Sequence, residues 1–305
     1  MEVKRITVRS LVKRLSSVSE QTQTMAICEL RLMSKQDPET RSLISESEEA
    51  IPILTETLYS SSPIAQENAV ATLLNLSISN RDRLMSTRGL LDALSHLLRL
   101  PSATHDSIQI AAATLYSLLT VDHYRPIIGA KRDIIFGLVS IVSNVNSPPR
   151  SIKDGLKALF GISLYPLNRP TMVDLGCVKP LFSLVVNDGR VGIVEDASAV
   201  IAQVAGCYES GDAFRKVNGI GVLVDLLDSD SGSSERSKEN AVSALLNLIQ
   251  TGGEKLAEEV QEIGGMVVFD GALDVAGNGS SKGKSKALAL MNLLDGGGHS
   301  WTSAR

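Results

Sequence analysis

The sequence predicts an all-α fold, a solenoid of about seven similar helical units, and two observations support this prediction. Residues 66–77 read QENAVATLLNLS and residues 238–249 read KENAVSALLNLI, so one phrase recurs with Asn75 and Asn247 at matching positions. The interval between these asparagines equals four periods of about 43 residues, and such periods are typical of stacked helical repeats. Aromatic residues make up only 4% of the 305 residues, which favours close-packed helices over a β-sandwich.

Each unit is predicted to contain a short, a medium and a long helix. The medium helices are amphipathic segments such as IPILTETLYS, and the short elements, such as NRDRLM and NRPTMV, place a basic residue before apolar ones. Each long helix ends near one position, which we call the anchor residue of its unit. We expect the units to cover residues 8–294 as a single domain, with frayed ends at residues 1–7 and 295–305.

Local signals mark where the helices begin and end. Ser62 is a candidate N-cap, and Pro63 fits the first helical position, where a missing N–H costs nothing. Glycines that stop a helix follow most of the short elements, at Gly89, Gly129, Gly176, Gly219 and Gly264. These boundaries agree with the repeat period.

The phrases IPIL and VKPL, each at the start of a medium helix, together with QENAVATLLNLS, resemble armadillo repeats. Among these, the chain most resembles the armadillo region of plant U-box ubiquitin ligases. The resemblance implies a right-handed superhelix whose long helices line a concave face. In those ligases an upstream U-box recruits the ubiquitin-conjugating enzyme. Repeats begin here by residue 8 and nothing in this chain matches a U-box, so we do not carry ligase activity over.

The resemblance also implies a peptide-binding ladder along the concave face. An asparagine in such a ladder can pair with both the N–H and the C=O of an extended peptide. The predicted ladder consists of the anchor residues Arg31, Asn75, Tyr116, Phe160, Gln203, Asn247 and Asn292, flanked by Asn68, Lys153, Lys157, Asp196 and Asn240. The alternative is structural: an asparagine near a helix end can satisfy backbone groups, and Tyr116 and Phe160 can be partly packed.

The chemistry around the ladder does not select one kind of peptide. Armadillo proteins that bind nuclear-import signals place a tryptophan four residues before the asparagine, where this chain has Ala71, Ser243 and Leu288. Without aromatic slots for lysine stems, a nuclear-import receptor is disfavoured. The flanking charges are of both signs. The expected partner is therefore a protein or peptide segment of undetermined charge.

Other classes of function find little support in the sequence. The net charge of −4 argues against a nucleic-acid binder, and no apolar run reaches the roughly 18–20 residues of a membrane helix. The four histidines are scattered, without zinc-binding spacing, and Cys28, Cys177 and Cys207 are expected to be inert core residues in a reducing compartment, cytoplasmic or nuclear. We predict no enzyme, no metal, no cofactor and no small-molecule substrate.

One stretch of the sequence partly resembles a nucleotide-binding motif. Residues 277–285 read GNGSSKGKS, but a phosphate-binding loop that ends at Ser285 needs glycine at residue 278, which is Asn278. The repeat period assigns the stretch to a loop between two helices. A nucleotide-dependent switch would depend on this loop alone.

The sequence therefore predicts a non-catalytic protein-interaction scaffold that binds a partner segment along its concave face. The alternative is the substrate-recognition part of a ubiquitin ligase, either truncated or acting in trans, with ligase components among its partners.

Overall fold

The structure, a computed structural model, describes residues 2–295, and over that range the chain contains helices and no strands. The chain folds into two compact units, one comprising the described residues up to Gly161 and the other those from Ile162 onward. Each unit is a series of helical repeats. The expectation of a single uninterrupted domain over residues 8–294 stays a prediction.

The first unit begins with a medium and a long helix, and then repeats the order short, medium, long. Its helices are α1 (Glu2–Leu15), α2 (Glu20–Gln36), α3 (Pro38–Glu46), α4 (Ala50–Glu56), α5 (Pro63–Ser77), α6 (Arg81–Met85), α7 (Leu90–Arg99), α8 (His105–Leu119), α9 (Arg125–Gly129), α10 (Arg132–Ser143) and α11 (Pro149–Ser163), the last of which ends just beyond the unit. Residues 2–7, expected to be frayed, form the first turns of α1. Residues 296–305 lie outside the described range.

The second unit repeats the same order. Its helices are α12 (Arg169–Asp174), α13 (Val178–Asn187), α14 (Val191–Val204), α15 (Ser210–Arg215), α16 (Gly219–Leu227), α17 (Glu235–Gly252), α18 (Glu254–Asn278) and α19 (Ser281–Asp295). Helix α18 joins the short and medium helices of the last repeat across a kink at Gly264. A Cβ atom at Gly264 would lie 2.6 Å from Cγ1 of Val224 on α16, so the close approach of α18 to α16 at this point requires glycine.

Side-chain caps set the first residue of several long helices. The Ser62 hydroxyl accepts a hydrogen bond from the Ala65 amide at the start of α5, and Pro63 occupies the first position, as the sequence predicts. Ser234 caps α17 in the same way through the Ser237 amide. Each cap satisfies one amide that has no partner within its own helix.

The long helices form the core of each unit by packing on one another. In the first unit α5 packs between α2 and α8, and in the second α17 packs between α14 and α19. Leu73 and Leu76 of α5, and Leu245 and Leu248 of α17, are fully buried at matching positions. The two copies of the recurrent phrase therefore serve the same packing role in the two units.

Candidate functional site

The candidate site is the partly exposed side of the long helices, where the anchor residues lie; we call it the long-helix face. In the first unit, the Nη1 atom of Arg31 donates a hydrogen bond of 2.9 Å to Oδ1 of Asn68 and lies 3.4 Å from Oε1 of Glu67. The Nδ2 atom of Asn75 donates to Oγ of Ser34 at 3.0 Å and to the Arg31 carbonyl at 3.3 Å. The first two long helices are thus tied together at this face.

The same arrangement recurs at the second copy of the phrase. The Nδ2 atom of Asn247 donates a 2.7 Å hydrogen bond to the Ala202 carbonyl of α14. Two turns earlier, Nδ2 of Asn240 donates to the Glu195 carbonyl at 3.1 Å and to Oγ of Ser198 at 3.0 Å. The Nδ2 atom of each of these asparagines therefore donates its hydrogen bonds to the preceding long helix.

The carboxamide oxygens of Asn75 and Asn247, unlike their nitrogens, form no internal hydrogen bond among residues 2–295. Oδ1 of Asn75 and Oδ1 of Asn247 accept no hydrogen bond from any residue within 2–295, although both side chains are only partly exposed. The structural alternative therefore holds for the amide nitrogen of each, and the oxygen remains available. The carboxamides are held in fixed orientations by bonds that a partner would not need to break.

The remaining predicted ladder residues show varied environments. Tyr116 is 37% exposed, Phe160 is partly exposed, and Asn292 is exposed on α19. Oε1 of Gln203 accepts a 3.1 Å hydrogen bond from Nη2 of Arg169. Among the flanking residues, Lys153 is partly exposed, Lys157 lies 3.8 Å from Asp154, and Asp196 lies 3.9 Å from Arg236.

The basic residue of the short elements has a structural role that was not predicted from the sequence. The Nε atoms of Arg81, Arg125 and Arg169 donate hydrogen bonds to carbonyls at the ends of long helices, those of Ser117, Leu119 and Ser163, at 2.8, 3.2 and 2.9 Å. The last carbonyls of a helix lack partners within the helix and carry partial negative charge, so a cation is favourable there. The recurrence of a basic residue before apolar ones in the short elements was the signal for this role.

Carboxylates of the second unit also link successive long helices. Oε1 of Glu195 on α14 accepts a 2.8 Å hydrogen bond from Oγ of Ser234, the N-cap of α17. One repeat later, the Glu239 carboxylate accepts from the backbone amide of Ser280 and, at 2.7 Å, from its hydroxyl, just before α19 begins. The prediction of a loop over residues 277–285 is wrong: residues 277–278 end α18, residues 281–285 begin α19, and only residues 279–280 lie between them. The Glu239 carboxylate occupies the Ser280 amide before α19, which a phosphate bound there would need, so the geometry disfavours a nucleotide site.

The family of the chain follows from its repeats. The sequence pattern of the plant U-box protein ARM repeat region matches residues 7–292. The chain belongs to this family. It is 30% identical over 301 residues to U-box domain-containing protein 16 of Arabidopsis thaliana and 32% identical over 293 residues to protein 17 of the same species. These matches cover 96% and 95% of this chain but 41% and 39% of the relatives, so the chain spans about two-fifths of their length.

Solved structures agree with an all-α solenoid for this plant U-box ARM repeat region. One, from work on a phosphorylation switch that controls the interaction between cadherin and beta-catenin, has a TM-score of 0.79 at 20% identity, covering 95% of this chain and 53% of the other. A designed armadillo repeat protein in complex with the peptide (KR)4 has a TM-score of 0.50 at 18% identity, covering 94% and 99%. At such identities the likeness shows the fold alone.

The thiols of this ARM repeat region are poorly suited to nucleophilic chemistry. Burial raises the pKa of Cys177 to about 12 and that of Cys207 to about 11, so both stay protonated near neutral pH. Cys28 differs from the expected core residue because it is partly exposed. Across residues 2–295 no group of three or more metal-binding side chains comes together, and none of the helices there has the length and apolar character to cross a bilayer.

Proposed function

We propose that the chain is a non-catalytic scaffold that binds an extended segment of a partner protein along the long-helix face of its units. The observation that supports this proposal is the fixed orientation of Asn75 and Asn247, each with its donor used internally and its Oδ1 atom available. Such preorganised acceptors lose little conformational freedom when they bind an N–H group. The proposal deepens the expectation of a ladder by assigning the acceptor role to two of its three asparagines, Asn75 and Asn247.

The chemistry of an extended peptide matches this role. Successive N–H groups that point to the same side of an extended chain lie about 6.6–6.8 Å apart, because the backbone repeats every two residues. A peptide can therefore present N–H groups to the face while its alternate side chains meet neighbouring residues such as Tyr116 and Phe160. The designed armadillo protein in complex with (KR)4 supports peptide binding as a use of this fold.

The test is a peptide selection on the purified, immobilised chain with a phage-displayed library of random 12-residue segments. Selected peptides are then measured by fluorescence anisotropy against the wild type, the double variant Asn75→Ala/Asn247→Ala and the control Asn187→Ala. Asn187 is an exposed residue of α13 that bonds only to the Ser183 carbonyl of its own helix. We expect a selected peptide to bind the double variant about tenfold more weakly, because it loses a preorganised hydrogen-bond acceptor, and to bind the control as tightly as the wild type.

A structural role alone would give a different result. Ser34→Ala removes one internal partner of the Asn75 amide but leaves Oδ1 in place, so this variant should lose some stability and keep its affinity. If no peptide is selected, or if the selected peptides bind the double variant as tightly as the wild type, the proposed binding face is refuted. Circular dichroism of each variant confirms that the helices are retained.

A second proposal concerns the ubiquitin pathway: the chain acts as the substrate-recognition part of a ubiquitin ligase. It is favoured by the U-box domain-containing relatives, in which the matched region is about two-fifths of the protein. The test is an in vitro ubiquitylation assay of a partner identified by proximity labelling, with a plant U-box protein present. Modification that requires this chain supports the proposal, and modification that is unchanged without it counts against it.

A further inference from the structure

Three cations on the long helices each lie near a carboxylate, whereas a pair of lysines on α19 does not. Arg31 lies near Glu67, Lys157 near Asp154, and Arg236 near Glu195, at 3.4, 3.8 and 3.8 Å. Lys282 and Lys286 have no carboxylate within ion-pair distance among residues 2–295. Since the two lysines are four residues apart, they lie on the same side of α19 and their charges add.

Lys286 is directed at the neighbouring long helix. Its Nζ atom donates a 3.0 Å hydrogen bond to Oγ of Ser243 on α17, and that hydroxyl in turn donates to the Glu239 carbonyl at 2.8 Å. Ser243 is only 6% exposed, and Lys286 is itself partly buried. The lysine side chain is therefore held between two helices instead of extending into water.

The charge of Lys286 is only partly compensated by its surroundings. Burial lowers the pKa of Lys286, and the positive charge of Lys282 lowers it further, while Glu239 opposes them. The Glu239 carboxylate is already engaged by the amide and hydroxyl of Ser280 at the start of α19. An additional anion next to Lys286 would favour its charged form and offset the cost of its burial.

The lysine pair lies close to the acceptor of Asn247. Ser243, the partner of Lys286, is one helical turn before Asn247 on α17, about 6 Å along the axis. In an extended peptide, one to two residues cover this distance. A segment whose backbone N–H reaches Asn247 can therefore place the side chain of a nearby residue at Lys286.

We propose that Lys282 and Lys286 bind an aspartate or glutamate of the partner segment, within two residues of the residue whose N–H binds Asn247. This inference depends on the proposed peptide-binding function and adds the chemical class of one partner residue. The acidic residue would fix the position of the segment along the face, because a slip by one residue would bring the wrong side chain to the lysines.

The experiment repeats the phage selection on three forms of the full chain: the wild type, Lys282→Glu/Lys286→Glu and the control Lys255→Glu/Lys284→Glu. The control makes the same change in net charge at two other lysines of the second unit. Lys255 is exposed on α18, and Nζ of Lys284, on α19, donates to the Gly277 carbonyl at the end of α18. Circular dichroism and thermal melts establish that all three forms are folded.

The expected result is a reversal of charge preference. Peptides selected on the wild type and on the control should be enriched in Asp or Glu at one position, and those selected on Lys282→Glu/Lys286→Glu in Lys or Arg at the same position. N-methylation of each peptide residue in turn, measured against the wild type and Asn247→Ala, identifies the N–H that binds Asn247. Lys286→Met, which keeps the packing and removes the charge, should weaken a selected acidic peptide by about tenfold.

Two outcomes would overturn the inference, and they are distinguishable. If peptides depend on Asn247 but show no acidic preference, or keep it after the charge reversal, the lysine site is refuted and the proposed function stands. If no selected peptide depends on Asn75 or Asn247, the proposed function is refuted and the lysine site falls with it.

Discussion

Helices α5 and α17 contain nearly the same twelve residues, yet their side chains bond differently, and the difference lies in the helix that precedes each. At the anchor position the two agree: Asn75 and Asn247 both donate to the preceding long helix. Seven residues earlier they differ. Nδ2 of Asn68 donates to the Ile64 carbonyl of its own helix, whereas Nδ2 of Asn240 donates to α14.

The cause is the length and charge of the preceding anchor residue. Before α5 that residue is Arg31, whose guanidinium reaches Oδ1 of Asn68 and turns the carboxamide donor back towards α5. Before α17 it is Gln203, whose Oε1 is engaged by Arg169, so the donor of Asn240 meets the backbone of α14 instead. A repeated phrase therefore fixes the packing of a helix, while its neighbour fixes the polar contacts.

The largest effect is expected from the buried leucines at matching positions. Leu73→Ala and Leu245→Ala should each lower the free energy of unfolding by about 2–5 kcal/mol, because each leaves a cavity in a fully packed core. Urea denaturation followed by circular dichroism measures the loss. The same data test the single-domain prediction for residues 8–294: one shared transition shifted by both variants supports it, and two transitions, each shifted by one variant, contradict it.

A smaller effect is expected from the arginines that bind helix ends. Arg169 donates to the Ser163 carbonyl, the Gly206 carbonyl and Gln203, and it is partly buried, so Arg169→Ala should cost about 2–3 kcal/mol. Arg81 donates to the Ser117 carbonyl, and Arg81→Ala should cost about 1 kcal/mol. Thermal and urea melts of both variants measure the difference. Equal losses would show that the additional contacts of Arg169 contribute nothing.

The third prediction tests the different bonding of Asn68 and Asn240 directly. Asn240→Ala removes bonds to α14 and should cost about 1 kcal/mol by urea denaturation. For Asn68 the informative measurement is a double-mutant cycle with Arg31→Ala, which should give a coupling energy of about 0.5–1 kcal/mol. A cycle between Asn240 and Gln203→Ala, which share no hydrogen bond, should give a coupling near zero. Similar couplings in the two cycles would contradict the explanation.

Much of the fold could be predicted from the sequence, because repeat period and apolar spacing are local properties of the chain. The position of α5, its cap at Ser62 and the alignment of Asn75 with Asn247 are of this kind. The hydrogen-bond partners of the candidate site could not be predicted. Whether Asn68 bonds to its own helix depends on Arg31, a full repeat earlier, and on how two helices lie in three dimensions.

The arginines illustrate the same limit. The sequence shows a basic residue about once per repeat in the short elements, but the carbonyl that Arg81, Arg125 or Arg169 reaches depends on where a long helix ends in space. The residues 2–7 were expected to be frayed because they precede the first recognised repeat. Their place in α1 reflects an unbroken run of residues compatible with a helix, which continues into the buried Val8 and Leu11.

The smallest effect is expected at the glutamates one residue before Asn68 and Asn240. Glu67 lies near Arg31 in a partly exposed ion pair, so Glu67→Gln should lower the free energy of unfolding by about 0.5 kcal/mol or less, and 1 M NaCl should abolish the difference.

Glu239 instead accepts hydrogen bonds at the start of α19, where a carboxylate also benefits from the helix dipole. Glu239→Gln should therefore cost about 1 kcal/mol, and part of that loss should persist in salt, because the carboxylate acts through direct hydrogen bonds to an amide and a hydroxyl. Urea denaturation of both variants at low and high salt decides between the two roles. If salt removes both losses equally, Glu239 acts only as a surface charge, and the two copies of the phrase are more alike than their contacts suggest.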